Sequence, residues 1–599
     1  MLRIITWGTV MKKYLFVIYL FSYISLLSAR DNLSGKDTLN LNHWALINVN
    51  KFSVWARSDG LIARSPGYEK NSTYPERMTD AIFSDGFVWA GFVHDSRIPP
   101  LRAGGSLYIS GLTTGKILPD GTAEEIDKSV RTIWNIRKDW ETADLSDDAN
   151  RVFNLTDRKP TEEEINKIRS VYEDSWQTWP WQKGAPFYDE NNNGIMDPGE
   201  KPGLLGADQV VWFVCNDIDQ MRCGKFLGSP HIGIELQVTL WAYNSEGSEL
   251  EKSLNQTLFR RYRFIYKGTD NTPDSARIDS MFISMWSDCD IGNYTDDYVG
   301  CDTLLDLMFT YNSTFTDEQL EEYNLPPYSI GYTLLQGPVV FTGNASDRGS
   351  GVSGEKTAFR NLQITSFNYF RESDLISECS MFRCWGIYAY TVEWYNLMNG
   401  LQPRSGRKFK NALGEPDVFP FSDDPVTSGR DVDGVLAPAG ERRMQFHSGP
   451  FSMALGDTQD VVIATVGGIG SDRLASVSVM KYWTRWVRYF YKYDGWEDIG
   501  QNSEKLKELP VPMHFSLNQN YPNPFNSTTN ITFSIPLECS VRIDIYNSAG
   551  KYIVTLMNKT LPSDSYSVTL DASGMPSGLY FCKMRAGQVT RAVKMLLVR

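Results

Sequence analysis

The chain predicts a mainly β protein: a β-sandwich or jelly-roll-like body with a few helices, followed by a small C-terminal Ig-like β-sandwich. Three observations predict it. Long stretches alternate apolar and polar residues with period two. Gly, Asn and Asp cluster between those stretches, where chain reversals need them. Only two segments carry a clear helical pattern. At 599 residues the chain is too long for one ordinary core, so several domains are expected.

The body strands come first. Ile232, Ile234, Leu236, Val238, Leu240 and Ala242 alternate with Gly233, Glu235, Gln237, Thr239 and Trp241. Leu258 to Lys267 alternates too, with Tyr262, Phe264 and Tyr266 on one side. Both read as long strands with one covered face. Further strands are expected at 209–215, 281–286, 339–342, 388–392 and 460–466. This frequency of strands and turns is that of a sandwich or jelly roll.

Two helices stand out. Thr161 and Glu164 form a capping box, in which each side chain satisfies a backbone donor at the helix start. Ile165, Ile168, Tyr172 and Trp176 then share one face. The second helix runs from about Asp472 to Tyr491. Its aromatic residues (Tyr482, Trp483, Trp486, Tyr489, Phe490) are expected to lie against a sheet.

The expected organisation is a leader at 1–29, a β-rich region with one helix at 30–205, and a sandwich-like domain at 206–498 that ends in the aromatic helix. A polar linker at 499–514 and a small domain at 515–599 complete it. The leader carries Met11-Lys12-Lys13, the apolar run Tyr14 to Leu27 and the small pair Ser28-Ala29. That is the layout of a secretory signal peptide, with Met11 an alternative start. No later segment is long and apolar enough to span a bilayer as a helix.

The formal net charge is −13. A negative chain without a basic cluster repels phosphate backbones, so nucleic acid is excluded as a partner. Eight cysteines fall as near pairs: Cys215 with Cys223, Cys289 with Cys301, Cys379 with Cys384, and Cys539 with Cys582. In an exported protein these are disulfide candidates. Sequence leaves about 105 pairings open, and pairing within each couple is the simplest.

One segment carries clear chemistry. Residues 189–200 read Asp-Glu-Asn-Asn-Asn-Gly-Ile-Met-Asp-Pro-Gly-Glu, which resembles an EF-hand-type calcium loop. Asp189, Asn191 and Asn193 offer side-chain oxygens, Gly194 the sharp turn, Ile195 a carbonyl, Asp197 a water-mediated contact and Glu200 a closing carboxylate. Pro198, Gly199 and Pro202 block the usual exiting helix. A rigid structural Ca2+ site is therefore expected, not a sensor. A second, weaker candidate is the acidic set Asp288, Asp290, Asp296, Asp297 and Asp302, whose like charges repel unless hydrated or bridged by a cation.

Several enzyme classes lose support. The five histidines, His43, His94, His231, His447 and His514, form no His-Glu-x-x-His. No Gly-x-Ser-x-Gly elbow occurs. The run Val461 to Val466 followed by Gly467-Gly468-Ile469-Gly470 lacks the third glycine of a dinucleotide fingerprint and reads as a plain strand-to-helix turn. Trp176, Trp179 and Trp181 are aromatic enough to stack on sugars, although burial explains them better.

The last eighty-odd residues are the most informative. Pro522 and Pro524 impose an extended start. Short apolar runs follow at 531–535, 541–546, 566–570, 579–584 and 592–598, with turn clusters at 547–550 and 576–578. This is the pattern of a small antiparallel sandwich. Tyr521-Pro522-Asn523-Pro524-Phe525-Asn526, Ile545-Tyr546-Asn547 with Gly550, Ser577-Gly578-Leu579-Tyr580 and the basic-apolar end at Lys594 to Arg599 are its most specific parts. On these residues the segment 515–599 resembles the type A C-terminal sorting domain of type IX (Por) secretion cargo in Bacteroidota-like bacteria. Leu570-Asp571-Ala572 stands where many members have Trp-Asp-Gly. The resemblance implies export through the periplasm to the cell surface or the medium, with the secretion machinery as partner.

The function expected from the sequence is thus a secreted, calcium-stabilised, β-rich binding or structural module. A glycan or surface ligand is its expected partner. The alternative is a secreted polysaccharide hydrolase with an unidentified carboxylate pair.

Overall fold

Two antiparallel sheets in the body bury their side chains into one shared cluster. In this computed structural model the described residues are 39–494 and 515–598, apart from 68–69, 353, 373, 375, 380–385, 428, 436–437, 536–538, 562–563 and 587–588. The expected leader (1–29) and linker (499–514) lie outside the described residues. Strands dominate throughout, so the protein is mainly β.

The larger sheet has nine strands. Its order is Asp297–Asp302, Leu307–Asn312, Ser329–Gln336, Thr458–Gly468, Thr257–Tyr266, Ile234–Ala242, Gln209–Asn216 and Thr113–Thr114, with Ile133–Arg137 also paired to Gln209–Asn216. The smaller sheet has five strands, in the order Ser366–Arg371, Arg442–Ala454, Arg277–Asp288, Ser84–His94 and Leu101–Ser106. Both sheets take strands from either side of residues 202–206, so the sheets themselves do not divide there.

Period-two alternation decides which side chain goes where. Ile234, Leu236, Val238 and Leu240 meet Phe87, Trp89, Ile283, Met285 and Phe446 of the other sheet in the shared cluster. Trp241 and Phe259 point the other way, into a second cluster with Trp486, Val487 and Phe490. Those last residues belong to or adjoin the helix Arg473–Tyr489, capped by Asp472, whose carboxylate accepts from Leu474 and Ala475 N–H. The aromatic helix therefore covers the outer face of the larger sheet. The outer face of the smaller sheet is covered by Gln220–Leu227 and Ala389–Met398, through Phe226, Leu227, Tyr390, Trp394, Leu397 and Met398.

The capping box at Thr161 and Glu164 is present and opens the helix Glu162–Gln177. Trp179 is buried and its indole N–H donates to the Pro186 carbonyl at 2.7 Å. Trp176 and Trp181 are half-buried against the same cluster.

Two expectations fail. Residues 388–392, expected as a strand, lead into the helix Ala389–Met398. Its buried positions Tyr390, Trp394, Leu397 and Met398 repeat at helical spacing, and a short apolar run alone does not separate the two periods. The cysteines also differ from the expected pairs. Cys215, Cys223, Cys289, Cys301, Cys379, Cys539 and Cys582 are buried and form no disulfide with one another among the described residues, and Cys384, the expected partner of Cys379, lies outside the described residues. For the last couple, strand register gives the reason. Cys582 faces Ile545, which places Cys539 about 20 Å along the strand at roughly 3.3 Å per residue.

The C-terminal segment has its own core. A sheet of Ser516–Leu517, Thr528–Ile535 and Asp564–Asp571 lies with one of Tyr552–Leu561, Cys539–Asn547, Gly578–Ala586 and Val589–Leu597. Phe525, Ile531, Phe533, Val541, Ile543, Ile545 and Met584 are among the residues buried there. The strand Tyr552–Leu561 was not expected, because only its last residue, Leu561, is buried.

Candidate metal centres

The loop 189–200 is carried at the end of a short hairpin, in which Tyr188 pairs with Lys201 and Phe187 with Pro202. Strand backbone takes the place of the flanking helices, as Pro198 and Pro202 require. Inside the loop the expected oxygens turn inward. Asp189 accepts from Asn193 N–H at 3.1 Å and from Gly194 N–H at 2.7 Å. Asn193 Oδ1 accepts from Ile195 N–H at 2.7 Å. Asp197 Oδ2 receives the side-chain amides of Asn191 and Asn193, each at 2.8 Å. Glu200 reaches back across the loop, accepting from Glu190 N–H at 2.9 Å and Asp197 N–H at 2.8 Å. Gly194 has a φ of +76°, the left-handed conformation that a side chain resists. Asp189, Asn191, Asn193, Asp197 and Glu200 are thus gathered on one small loop with hard oxygen donors.

The second acidic set separates. Asp302 pairs with Lys481, Nζ to Oδ2 3.0 Å. Burial acts to raise its pKa, and the Lys481 charge outweighs it and holds the group low. Asp296 is engaged elsewhere, accepting from the Thr314 hydroxyl at 3.1 Å and from Asn312 at 3.4 Å. Neither joins a centre with Asp288.

Asp288 and Asp290 do converge, and with a residue the sequence did not point to. Asp288, Asp290 and Glu441 each offer a carboxylate oxygen, and these atoms lie within 4.8 Å of one another. Strand pairing brings them there. Asp288 ends the strand Arg277–Asp288. Glu441 immediately precedes the antiparallel neighbour Arg442–Ala454, where Met444 faces Ser287. The Asp290 N–H is tied to the Ala81 carbonyl at 3.2 Å, which holds the turn against the sheet end.

The groups around them are specific. Tyr108 donates its hydroxyl to Asp288 Oδ2 at 2.5 Å and accepts from Arg443 Nε at 2.5 Å. Arg443 also lies 3.5 Å from Asp288 Oδ1, 3.1 Å from Glu441 and 3.5 Å from Glu378. The Tyr108 ring stands edge-on to Trp286, 4.9 Å between centroids. Burial and the Asp288 charge push the carboxyl pKa of Asp290 and of Glu441 upward. Asp297 is raised as well, by burial first and then by the charge of Asp290. Glu441, Arg443 and Tyr108 come from distant parts of the chain. The only local hint is the charged triplet Glu441-Arg442-Arg443 at the start of a strand.

Comparison with known proteins bears on the tail. Residues 519–599 match the secretion system C-terminal sorting domain family. This segment addresses the chain to the type IX secretion machinery, and so through the periplasm to the cell surface or the medium. No curated protein matches the sequence. Among solved structures, a polysaccharide lyase is similar at 6% identity and TM-score 0.17, over 61% of this chain and 34% of that one. Dimeric latent PorU from Porphyromonas gingivalis is similar at 10% identity and TM-score 0.13, over 60% of this chain and 26% of that one. The chain thus spans about a third and a quarter of those proteins, and likeness this weak carries no argument about the body. Among the described residues no helix is long and apolar enough to cross a membrane.

Proposed function

We propose that the chain is type IX cargo whose body works outside the cell as a calcium-stabilised, two-sheet sandwich with a binding or structural role. The observation that carries the reading is the match of residues 519–599 to the sorting domain. The loop 189–200 supports the calcium part, because its hard oxygens sit on a rigid hairpin in the pattern calcium uses. The bound ion would supply local stability, not chemistry. A glycan or another surface component is the ligand class that suits such an exported module.

The hydrolase reading needs two carboxylates facing each other across a sugar, about 5 Å or more apart. Asp288 and Glu441 are in direct hydrogen-bond contact, so this pair does not leave room for a glycosidic bond.

Deleting residues 519–599 tests the address. The truncated chain is expected to accumulate in the periplasm, and unchanged export would contradict the reading. Reducing-sugar release by the exported chain from neutral polysaccharides would replace the binding role with the hydrolase.

A further inference from the structure

We propose that Asp288, Asp290 and Glu441 hold a calcium ion at the end of the five-stranded sheet, beside the buried Asp297. This centre is independent of the loop 189–200.

The charge balance favours a divalent ion. Three carboxylates meet within 4.8 Å, and the cation that touches them, Arg443, is shared with Glu378. Asp288, Glu441 and Glu378 thus share one guanidinium while Asp290 adds a further carboxylate, in a place where solvent screens like charges poorly. Two buried oxygens point the same way. Asp288 is 3% exposed, and its Oδ1 is met by the Arg443 Nε only at 3.5 Å. Asp297 is 1% exposed, and its Oδ1 has no hydrogen-bond partner among the described residues. Its other oxygen accepts from Ile291 N–H at 3.3 Å, and Asp290 is the charge that acts on it most strongly. Buried polar atoms are as a rule paired, so the unpartnered Asp297 oxygen, on a side chain that feels the Asp290 charge, calls for a cation.

The donor set chooses the ion. Every candidate ligand is a carboxylate oxygen, which selects a hard cation over zinc or copper. The carboxylates are set at the end of a sheet and in a turn, not in a closed octahedral cage, and calcium tolerates that irregularity better than magnesium does. A bound ion would join the end of Arg277–Asp288 to the start of Arg442–Ala454. Those strands are neighbours in the centre of the smaller sheet.

The competing arrangement is protonation: two of the carboxyls take up protons and no metal binds. Calorimetry of the full secreted chain, freed of metal by chelation and titrated with calcium chloride, separates the two. The variant Asp189→Asn with Glu200→Gln removes the loop as a contributor. In that background we expect one calcium per chain. We expect Glu441→Gln to weaken it about tenfold or more, since ligand charge sets calcium affinity, and Asp297→Asn to weaken it as well. Terbium adds a local readout. Bound here, it would lie beside Tyr108 and Trp286 and be excited through them, and Glu441→Gln is expected to shift that emission to about tenfold higher terbium concentration or more. Asp290→Asn serves in the same role should Glu441→Gln not fold. A loop variant that takes up no calcium overturns the centre while leaving the loop reading intact. Calcium uptake unchanged by Glu441→Gln and by Asp290→Asn places the ion elsewhere and overturns it too.

Discussion

Arg260 Nη1 lies 2.5 Å from Asp85 Oδ2, and both side chains are buried between the two body sheets. Arg260 belongs to the larger sheet and Asp85 to the smaller one. The pair therefore fixes how the two sheets face each other. Asp85 Oδ1 also accepts from the Tyr332 hydroxyl at 2.6 Å and from the Ser287 hydroxyl at 3.0 Å, and the Arg260 guanidinium lies over the Tyr332 ring, 5.3 Å from its centroid. Removing one partner leaves a buried charge alone. Asp85→Asn is expected to lower stability by about 3–5 kcal/mol. Asp85→Asn combined with Arg260→Met is expected to cost less than the single change, because no unpaired charge remains. Urea unfolding followed by tryptophan fluorescence checks both. A double variant as unstable as Asp85→Asn would show that the pair acts through packing alone.

Calcium is expected to raise the melting temperature of the metal-free chain. At tenfold excess over its dissociation constant, each ion that binds only the folded state contributes about 1.4 kcal/mol. Asp189→Asn with Glu200→Gln is expected to remove the loop's share and leave the fold in place, since the loop is exposed at the tip of a hairpin. Differential scanning calorimetry with and without calcium reads the difference. If the wild-type and variant chains respond equally, the loop is a turn and no more.

How much of this was legible in the sequence follows from what is local. Strands with one covered face, such as Ile234–Ala242, announce themselves by alternation, and the capping box at Thr161 is contained in four residues. The loop at 189–200 is contiguous and is visible for the same reason. The acidic centre is not contiguous. Asp288 and Asp290 could be flagged, but Glu441 reaches them only through the antiparallel register of Arg277–Asp288 with Arg442–Ala454, which no local pattern encodes. Asp302 looked like part of the same set and was claimed instead by Lys481 from the aromatic helix. Pairing of consecutive cysteines misled in a similar way: Cys539 and Cys582 follow one another in the cysteine order but sit at different heights on neighbouring strands.

The acidic centre also gives the metal-free chain a pH dependence. Burial and the Asp288 charge raise Glu441 to about 8, and Asp290 and Asp297 are raised as well. A carboxyl raised in the folded chain binds its proton more tightly there than in the unfolded chain. Its contribution is full below about pH 4, where unfolded carboxyls titrate, and is lost as the pH climbs toward 8. Arg443, shared with Glu378, opposes the shift, while Asp288 and Glu372 act on Glu441 and Asp80 acts on Asp290. In chelator the melting temperature is expected to fall between pH 5 and pH 8 by more in the wild type than in Glu441→Gln. Equal slopes would remove Glu441 from the account.

Gly467 and Gly468 end the strand Thr458–Gly468 just before the aromatic helix, and close contact, not nucleotide binding, explains them. A Cβ on Gly468 would collide with the backbone of Met480, and one on Gly467 with the ring of Tyr74. The helix Arg473–Tyr489 thus lies directly on the strand it follows, with no space for a side chain between them. Met480 is held in the helix backbone and has little freedom to withdraw. Gly468→Ala is therefore expected to cost about 3 kcal/mol, the upper end for an overpacked core. Gly574→Ala is the matched control. It has open space around the added carbon and is expected to change stability by no more than about 0.5 kcal/mol, as exposed substitutions do. Thermal unfolding of the two variants beside the wild type measures the contrast. A Gly468→Ala chain as stable as the control would mean that the helix stands off the sheet further than this packing requires.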